Sequence, residues 1–189
     1  MWLRNCWYVI AWEHEIPQAA EDKLFTRKVL NEPILVYRTS HGHMVAIADK
    51  CCHRHAPLST GHREGDSVRC GYHGLLFDAQ GQCKEVPGMD KPPAKACVKK
   101  YPLVVKNKWV FVWMGDVEKA DETMLPDNFS CDHPDWVHVP GYMHYDTPYL
   151  LIADNLLDFS HLSYVHANTL GGSVAIALAK PLVETVHAK

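Results

Sequence analysis

The sequence predicts a mainly β domain over residues 1–115, in the form of an antiparallel β-sandwich, followed over residues 116–189 by the start of an α+β domain. Short runs of β-branched and aromatic residues bounded by turn residues indicate the strands. A polar, proline-containing stretch then separates them from a run with apolar residues at helical spacing. The two parts therefore differ in their dominant secondary structure.

Three runs in the first part are predicted strands. Residues 34–37, 44–48 and 109–113 are rich in β-branched and aromatic side chains. Glycine-containing segments at 41–43 and 79–81 are typical of hairpin turns. The first part is thus expected to consist of strands joined by short turns and by longer loops.

A polar segment is predicted to link the two domains. It covers residues 115–122 and is followed by Pro126 and Pro134. After it, residues 137–139 and 142–145 have a composition typical of strands. The second domain is expected to begin with these strands.

Composition and charge narrow the function classes. A hydrophobic content of 47% in 189 residues is ordinary for a globular protein with a core, and a formal net charge of −3 argues against a dedicated nucleic-acid binder. No apolar run approaches the length of a membrane span. Seven cysteines and the lack of a secretory leader predict a reducing cytoplasm.

Two cysteine–histidine pairs form the most specific motif. Cys51-x-His53 is followed, after sixteen residues, by Cys70-x-x-His73. In a Rieske [2Fe–2S] centre two thiolates hold one iron and two imidazoles hold the other, which raises the reduction potential. Adjacent Cys52 and His53 would point apart, so Cys51 is the predicted ligand and Cys52 is expected to be a small packed residue.

A structural zinc site is the alternative, because Zn²⁺ also binds sets of two cysteines and two histidines. Zinc fingers usually place both cysteines in one element and both histidines in the other. Here each half of the motif supplies one of each type. The pattern therefore favours the iron–sulfur centre.

A second group of polar residues lies on a predicted buried helix over residues 154–166. It contains Asn155, Asp158, His161 and His166. Buried polar groups need a partner or a metal, and two histidines with one carboxylate form the facial triad of non-haem Fe(II) oxygenases. Positions five apart are about 140° apart around a helix, so the histidines share a metal only if the helix ends or bends. Two histidines paired to Asp158 are the alternative.

The residues around both motifs resemble those of the Rieske non-haem iron aromatic oxygenases. The runs Cys-x-His-Arg-x-Ala-Pro-Leu-Ser and Cys-Gly-Tyr-His-Gly-Leu-x-Phe-Asp are most similar to the oxygenase components of the vanillate, dicamba and toluenesulfonate monooxygenase group. Respiratory Rieske proteins have an extra cysteine in each loop, where this chain has Ala56 and Tyr72. An oxygenase-type, low-potential cluster is therefore expected.

The resemblance implies a role for each motif residue. Cys51, His53, Cys70 and His73 would hold the cluster of a Rieske domain. His161 and His166 would hold the mononuclear iron of a helix-grip-like catalytic domain, with Asn155 beside them. Asp158 would be the carboxylate that bridges His161 to a cluster histidine of a neighbouring subunit.

The third iron ligand of the family is an aspartate farther along the chain. After His166 the only acidic residue is Glu184, which is expected to be a solvent-facing strand residue. The chain is therefore expected to contain the Rieske domain and the first part of the catalytic domain, and to lack the C-terminal half of the protein.

The implied activity is the monooxygenation of a small aromatic compound, in particular O-demethylation. Its cofactors would be the [2Fe–2S] cluster, non-haem Fe(II) and, through a ferredoxin or flavin reductase, NAD(P)H. The partners would be that reductase, O₂ and further copies of the protein in a homotrimer. Ring dihydroxylation and a Rieske-type electron carrier are the alternatives. The scattered Lys99, Lys100, Lys106 and Lys108 are interpreted as a solvated face, or else as a docking patch for an acidic reductase.

Overall fold

The computed structural model describes residues 2–169, 175, 178–180 and 182–185. Contacts divide the chain into two compact units, Met1–Pro140 and Gly141–Lys189. All the strands among the described residues lie in the first unit, and the α-helices Tyr149–Leu157 and Leu162–Val165 lie in the second.

Three antiparallel sheets form the first unit. Their strands are β1 (Cys6–Trp12), β2 (Phe25–Val29), β3 (Glu32–Arg38), β4 (Met44–Ala48), β5 (His62–Glu64), β6 (Ser67–Arg69), β7 (Leu76–Phe77), β8 (Cys83–Glu85), β9 (Lys100–Tyr101), β10 (Leu103–Lys106) and β11 (Trp109–Met114). The strand orders are β1-β11-β10, β2-β3-β4-β9 and β5-β6-β7-β8. The predicted mainly β, antiparallel fold is confirmed.

In the sheet β2-β3-β4-β9, the central strands β3 and β4 are buried on both faces, which explains the continuous apolar run in β3. Ile34 and Val36 belong to one hydrophobic core, called the first core below. Leu35 and Tyr37 belong to the other, called the second core. Successive side chains of a strand point to opposite faces, so a strand between two cores has no polar side. The predicted strands at 34–37, 44–48 and 109–113 and both predicted hairpin turns are confirmed.

The first core is closed by two strands that are far apart in sequence. Along β1 and β11 the register runs from Cys6 opposite Met114 to Trp12 opposite Trp109. The amide of Asn5 extends this pairing by donating to the carbonyl of Met114 (2.9 Å). The opening and closing strands of the unit are thus neighbours.

The predicted linker lies within the first unit, which extends to Pro140. Three 3₁₀ turns follow β11, at Val117–Lys119, Glu122–Met124 and Phe129–Cys131. The indole of Trp7 donates to the carbonyl of Asp121 (2.8 Å), and Leu125 is buried. The strands predicted at 137–139 and 142–145 are wrong, because these residues have irregular backbone without sheet partners.

The second unit begins with helix α1 (Tyr149–Leu157), which is followed by the single-turn helix α2 (Leu162–Val165). The prediction of one buried helix over 154–166 is wrong on both counts, since α1 ends at Leu157 and Leu156 is 64% exposed. Asp158 has extended backbone and its carboxylate accepts from the amide (2.9 Å) and hydroxyl (2.6 Å) of Ser160. Such a local turn competes with helix continuation. Every helix among the described residues is too short or too polar to traverse a bilayer.

Candidate functional site

Both predicted ligand loops are attached to the sheet β5-β6-β7-β8 of the first unit. The first loop connects β4 to β5 and contains Cys51 and His53, while the second connects β6 to β7 and contains Cys70 and His73. Strands at both ends of each loop limit its freedom.

The first loop turns sharply around its cysteine. The Cys51 amide donates to the carbonyl of Ala56 (2.9 Å), and the Cys51 carbonyl accepts from the amide of His55 (3.0 Å). His55 has a φ of +59°, in the left-handed region that few non-glycine residues adopt. His55 is thus a turn residue, and its ring is exposed.

The second loop repeats the same turn. The Cys70 amide donates to the carbonyl of Leu75 (2.8 Å), and the Cys70 carbonyl accepts from the amide of Gly74 (3.0 Å). Gly74, four residues after the cysteine as His55 is in the first loop, has a φ of +73°. The two loops therefore present their cysteines in equivalent backbone environments.

A buried carboxylate stabilises the first loop. Asp49 is 8% exposed, and its two oxygens accept from the amide (2.8 Å) and the hydroxyl (2.7 Å) of Ser59. This pair connects the start of the loop with the turn Leu58–Thr60. Because both carboxylate oxygens have partners, the burial of Asp49 is compensated.

The two loops touch backbone to backbone at a pair of glycines. A Cβ added to Gly61 would lie 1.8 Å from the carbonyl oxygen of Arg69, and one added to Gly71 would lie 2.8 Å from that of Thr60. Only residues without a side chain fit at this contact. The glycines therefore set the separation of the loops.

The predicted cluster ligands fall into an inner and an outer pair. Cys51 and Cys70 are 1% and 3% exposed and belong to the second hydrophobic core. His53 and His73 are exposed, with ring centroids 4.6 Å apart, and the Tyr72 ring lies 3.9 Å from that of His73. Thiols inside and imidazoles outside match a two-iron centre with one sulfur-bound and one nitrogen-bound iron.

The inner pair, Cys51 and Cys70, is chemically suited to bind a cationic group. Burial raises the pKa of Cys51 to about 11; the His53 amide opposes that shift and the neighbouring Cys70 thiol adds to it. Two buried thiolates side by side are unfavourable unless a metal binds them. The residues present therefore suit a metal centre.

An apolar cavity of 740 Å³ borders the outer pair. Its lining includes Cys52, His53, His73, Val86, Pro87 and Met89. Cys52 is exposed, so its prediction as a packed residue is wrong. The two imidazoles thus meet solvent beside an apolar surface.

The second unit brings His161 and His166 together at the two ends of α2. Their ring centroids are 5.4 Å apart, because the helix ends at Val165 and His166 departs from helical geometry. The Nδ1 atom of His161 donates to the carbonyl of Asp158 (2.6 Å), and that of His166 lies 3.1 Å from the hydroxyl of Thr169. Since the partner of the His161 Nδ1 is a carbonyl, its Nε2 carries the lone pair. Both Nε2 atoms remain for a metal.

The other residues that were predicted for the iron site are not grouped around a common metal position. Asn155 and Asp158 are exposed, and hydrogen bonds from Ser160 lower the pKa of Asp158. Glu184 is exposed, as predicted, but its backbone is irregular rather than a strand. In the described part of the chain, no three His, Cys, Asp or Glu side chains are grouped to hold one ion. A [2Fe–2S] centre of the predicted type needs only two protein ligands per iron.

The stabilising residues of both sites were not predicted. Asp49 and Thr169 carry no distinctive sequence signal, because their roles depend on side-chain contacts. For the first site, the positions of Gly61 and Gly71 next to the ligand motifs are a hint in the sequence. Asp158-x-Ser160 is a recognisable turn signal that would have ended the predicted helix at the correct place.

The first unit is antiparallel and presents two equivalent loops, each with one cysteine and one histidine. This combination defines the class of iron–sulfur proteins. The profile of the Rieske [2Fe–2S] domain matches residues 6–102, and that of the vanillate O-demethylase oxygenase C-terminal domain matches residues 145–188. The chain belongs to the Rieske [2Fe–2S] domain family.

The chain is similar to several oxygenase components. It is 51% identical to the iron–sulfur subunit of a toluene-4-sulfonate monooxygenase system of Comamonas testosteroni, over 97% of this chain and 52% of that subunit. It is 40% identical to the oxygenase component of dicamba O-demethylase of Stenotrophomonas maltophilia, over 87% of this chain and 48% of the relative. A crystal structure of dicamba monooxygenase bound to dicamba superposes with a TM-score of 0.79 at 38% identity, covering 87% of this chain and 48% of the other. The chain spans about half the length of the curated relatives it matches.

Proposed function

We propose that the chain is part of the oxygenase component of a multicomponent Rieske oxygenase that monooxygenates, by O-demethylation, a small aromatic compound. Residues 1–115 carry the cluster, and residues 116–189 begin the domain of the mononuclear iron. The toluene-4-sulfonate, dicamba and vanillate relatives support an aromatic substrate.

The His161–His166 pair carries this proposal, because a pure electron carrier has no use for a second metal site. The ring centroids lie 5.4 Å apart with the ring planes at 63° to each other, and the Nδ1 atom of each ring has a hydrogen-bonding partner. This arrangement orients both Nε2 atoms as metal ligands. A carboxylate from outside the described residues completes the facial triad.

In the first site, Cys51 and Cys70 would hold one iron of the cluster, and His53 and His73 would hold the other. When bound, the cluster supplies single-electron transfer and the mononuclear iron supplies oxygen activation. The core excludes water from the thiolates, while the exposed imidazole edges are accessible to another protein surface. The chain's own contribution is thus to fix the ligands and leave one side open.

The proposed partners follow from this chemistry. A ferredoxin or flavin reductase transfers electrons from NAD(P)H. Asp158 is the bridging residue, because its carbonyl accepts from His161 and its exposed carboxylate would accept from a cluster histidine of a neighbouring copy in a homotrimer. A reducing cytoplasm is the proposed location, because the cluster needs Cys51 and Cys70 as thiolates.

Metal analysis of the anaerobically purified chain tests the proposal. We expect two irons and two acid-labile sulfides in the cluster, with a Rieske EPR signal after reduction. Co²⁺ added to this protein should give d–d absorption that is lost in His161→Ala and in His166→Ala but retained in His144→Ala, a control at an exposed histidine of the same unit.

Two results would contradict the proposal. Equal Co²⁺ absorption in all variants, with an intact cluster, would favour the electron carrier. Bound zinc without sulfide would favour a structural zinc site instead.

A further inference from the structure

Arg69 is the last residue of β6 and directly precedes the ligand Cys70. Its side chain donates with all five N–H groups. Nε and Nη2 donate to the two carboxylate oxygens of Glu64, the latter at 2.7 Å. Nη1 and Nη2 donate to the two oxygens of Glu85 at 3.1 and 3.0 Å, and Nη1 also donates to the carbonyl of Gly74 at 2.7 Å.

These contacts join three segments around the second loop. Glu64 ends β5, Glu85 ends β8, and Gly74 follows the ligand His73. The Arg69 side chain is 18% exposed, and its hydrogen bonds lower the pKa of both glutamates. The planar guanidinium fork suits two bidentate carboxylates in a way that an ammonium group does not.

The bond to Gly74 fixes the chain where it leaves His73. The Gly74 amide already donates to the carbonyl of Cys70, so the contact with Arg69 leaves neither polar group of this residue free to reorient. The left-handed backbone of Gly74 is otherwise the most permissive point of the loop. Arg69 therefore restrains the residue most able to move.

The first loop has a different support. Its restraint is the carboxylate of Asp49, which lies within the same loop as the ligands and binds Ser59. The second loop is shorter and contains no such side-chain pair, so its restraint comes from the adjacent strand.

We propose that Arg69 is a positioning residue for the cluster, which it serves by holding the Gly74 carbonyl and thereby the orientation of the His73 end of the second loop. This inference rests on the ligand assignment under the proposed function. Glu64 and Glu85 fix the guanidinium in the plane from which it reaches Gly74.

The test compares Arg69→Lys and Arg69→Gln with Arg27→Lys and Arg27→Gln in the cluster-loaded chain. Arg27 is a matched control in another sheet, since it also binds a backbone carbonyl (Ile10, 2.9 Å) and a carboxylate (Glu15, 3.2 Å). The readouts are the half-life of the cluster in the presence of an iron chelator, the EPR g-values and the midpoint potential.

We expect the half-life to fall about tenfold in Arg69→Lys, although the charge is kept, together with a broadened EPR signal. In Arg69→Gln the potential should also fall, by about threefold in the reduction equilibrium or about 28 mV, because two carboxylates lose their counter-charge. Both Arg27 variants should match the wild type. If the Arg69 variants fail to fold, the double variant Glu64→Gln with Glu85→Gln should itself shorten the half-life.

Wild-type half-life, g-values and potential in the Arg69 variants would overturn the inference and leave the cluster assignment intact. So would an unchanged half-life in the double glutamine variant. Absence of a Rieske signal in the wild type would instead overturn the proposed function.

Discussion

The two proposed metal sites differ in how the chain supports them. The cysteines of the first site are buried in a core between two sheets, and each ligand loop is closed by two backbone hydrogen bonds at its cysteine. The histidines of the second site flank a one-turn helix in which Tyr164 and Val165 are 79% and 71% exposed. One site is built into a core, whereas the other depends on a few local hydrogen bonds.

This difference shows that the spacing of the metal ligands in the sequence and the contacts that hold those ligands in place are separate properties. The spacing of both motifs is visible in the sequence, but only the first is surrounded by contacts that resist distortion. We therefore expect the first site to tolerate loss of distant contacts and to fail when its own ligands or loop contacts change. The second should respond to the loss of one hydrogen bond.

The largest effect is expected from Cys70→Ser, because a hydroxyl does not replace a buried thiolate as an iron ligand. Iron and sulfide contents should fall to background, whereas Co²⁺ binding at His161 and His166 should persist. Cys131→Ser, at a half-buried thiol outside the loops, is the control. Loss of Co²⁺ binding together with the cluster would show that the two sites are not independent.

Gly61→Ala should have the next largest effect. The new methyl group would meet the Arg69 carbonyl at 1.8 Å, so the loops must separate at a cost of about 3 kcal/mol. Most of the cluster should be lost, as measured by visible absorption, and the urea midpoint should fall. Gly141→Ala has open space around it and should change neither quantity. An unaltered cluster in Gly61→Ala would mean that the loop contact is not required.

Thr169→Val should weaken the second site alone. Removing the hydroxyl beside the His166 Nδ1 leaves that ring without its orienting partner, which typically reduces metal affinity about tenfold. Titration with Co²⁺ measures this change, and Thr147→Val, at an exposed threonine of the same unit, serves as the comparison. Affinity equal to that of the wild type would indicate that other contacts orient His166.

Glu32→Gln should have the smallest effect and should spare the cluster. Burial favours a higher pKa for Glu32, but hydrogen bonds from Lys99, Tyr101 and Arg4 outweigh it and lower the pKa to about 2. A depressed pKa stabilises the fold fully above the ordinary value of 4.5, and the contribution is lost as the pH falls toward 2.

The variant should thus lose about 1–2 kcal/mol at pH 7 in urea unfolding, and the difference from the wild type should shrink below about pH 4.5. Glu118→Gln, at an exposed glutamate, should match the wild type throughout. A difference that stays constant with pH would assign the effect to packing rather than to charge.

The parts of the fold that were predicted correctly are those with local signals. The hairpin of β3 and β4 has apolar runs on both sides of a Gly42 turn with a φ of +82°, so pattern and turn agree. The strands proposed at 137–139 and 142–145 had similar composition but found no partner, because strand formation depends on neighbouring strands.

The candidate sites also have features that the sequence predicts and features that it does not. Ligand types and spacing are sufficient to identify Cys51, His53, Cys70 and His73 as candidates. The left-handed His55 and the Arg69 contacts depend on backbone geometry and on strand pairing, which the spacing of the ligands does not encode. The helix ends after Leu157 because the side-chain turn at Asp158 prevails over the helical periodicity of the apolar residues.

The pairing of β1 with β11 has a consequence for biosynthesis. Cys6 in β1 lies opposite Met114 in β11. The sheet β1-β11-β10 therefore cannot form until more than 100 residues have left the ribosome after β1. At about 5–20 residues per second this takes about 5–20 s. Cys51 and Cys70 emerge during that interval, and the second core that covers them is complete only when Val98 has followed. Until then their thiols are exposed to cellular metal carriers and oxidants. The topology thus leaves a time window in which nascent chains are vulnerable to mismetallation.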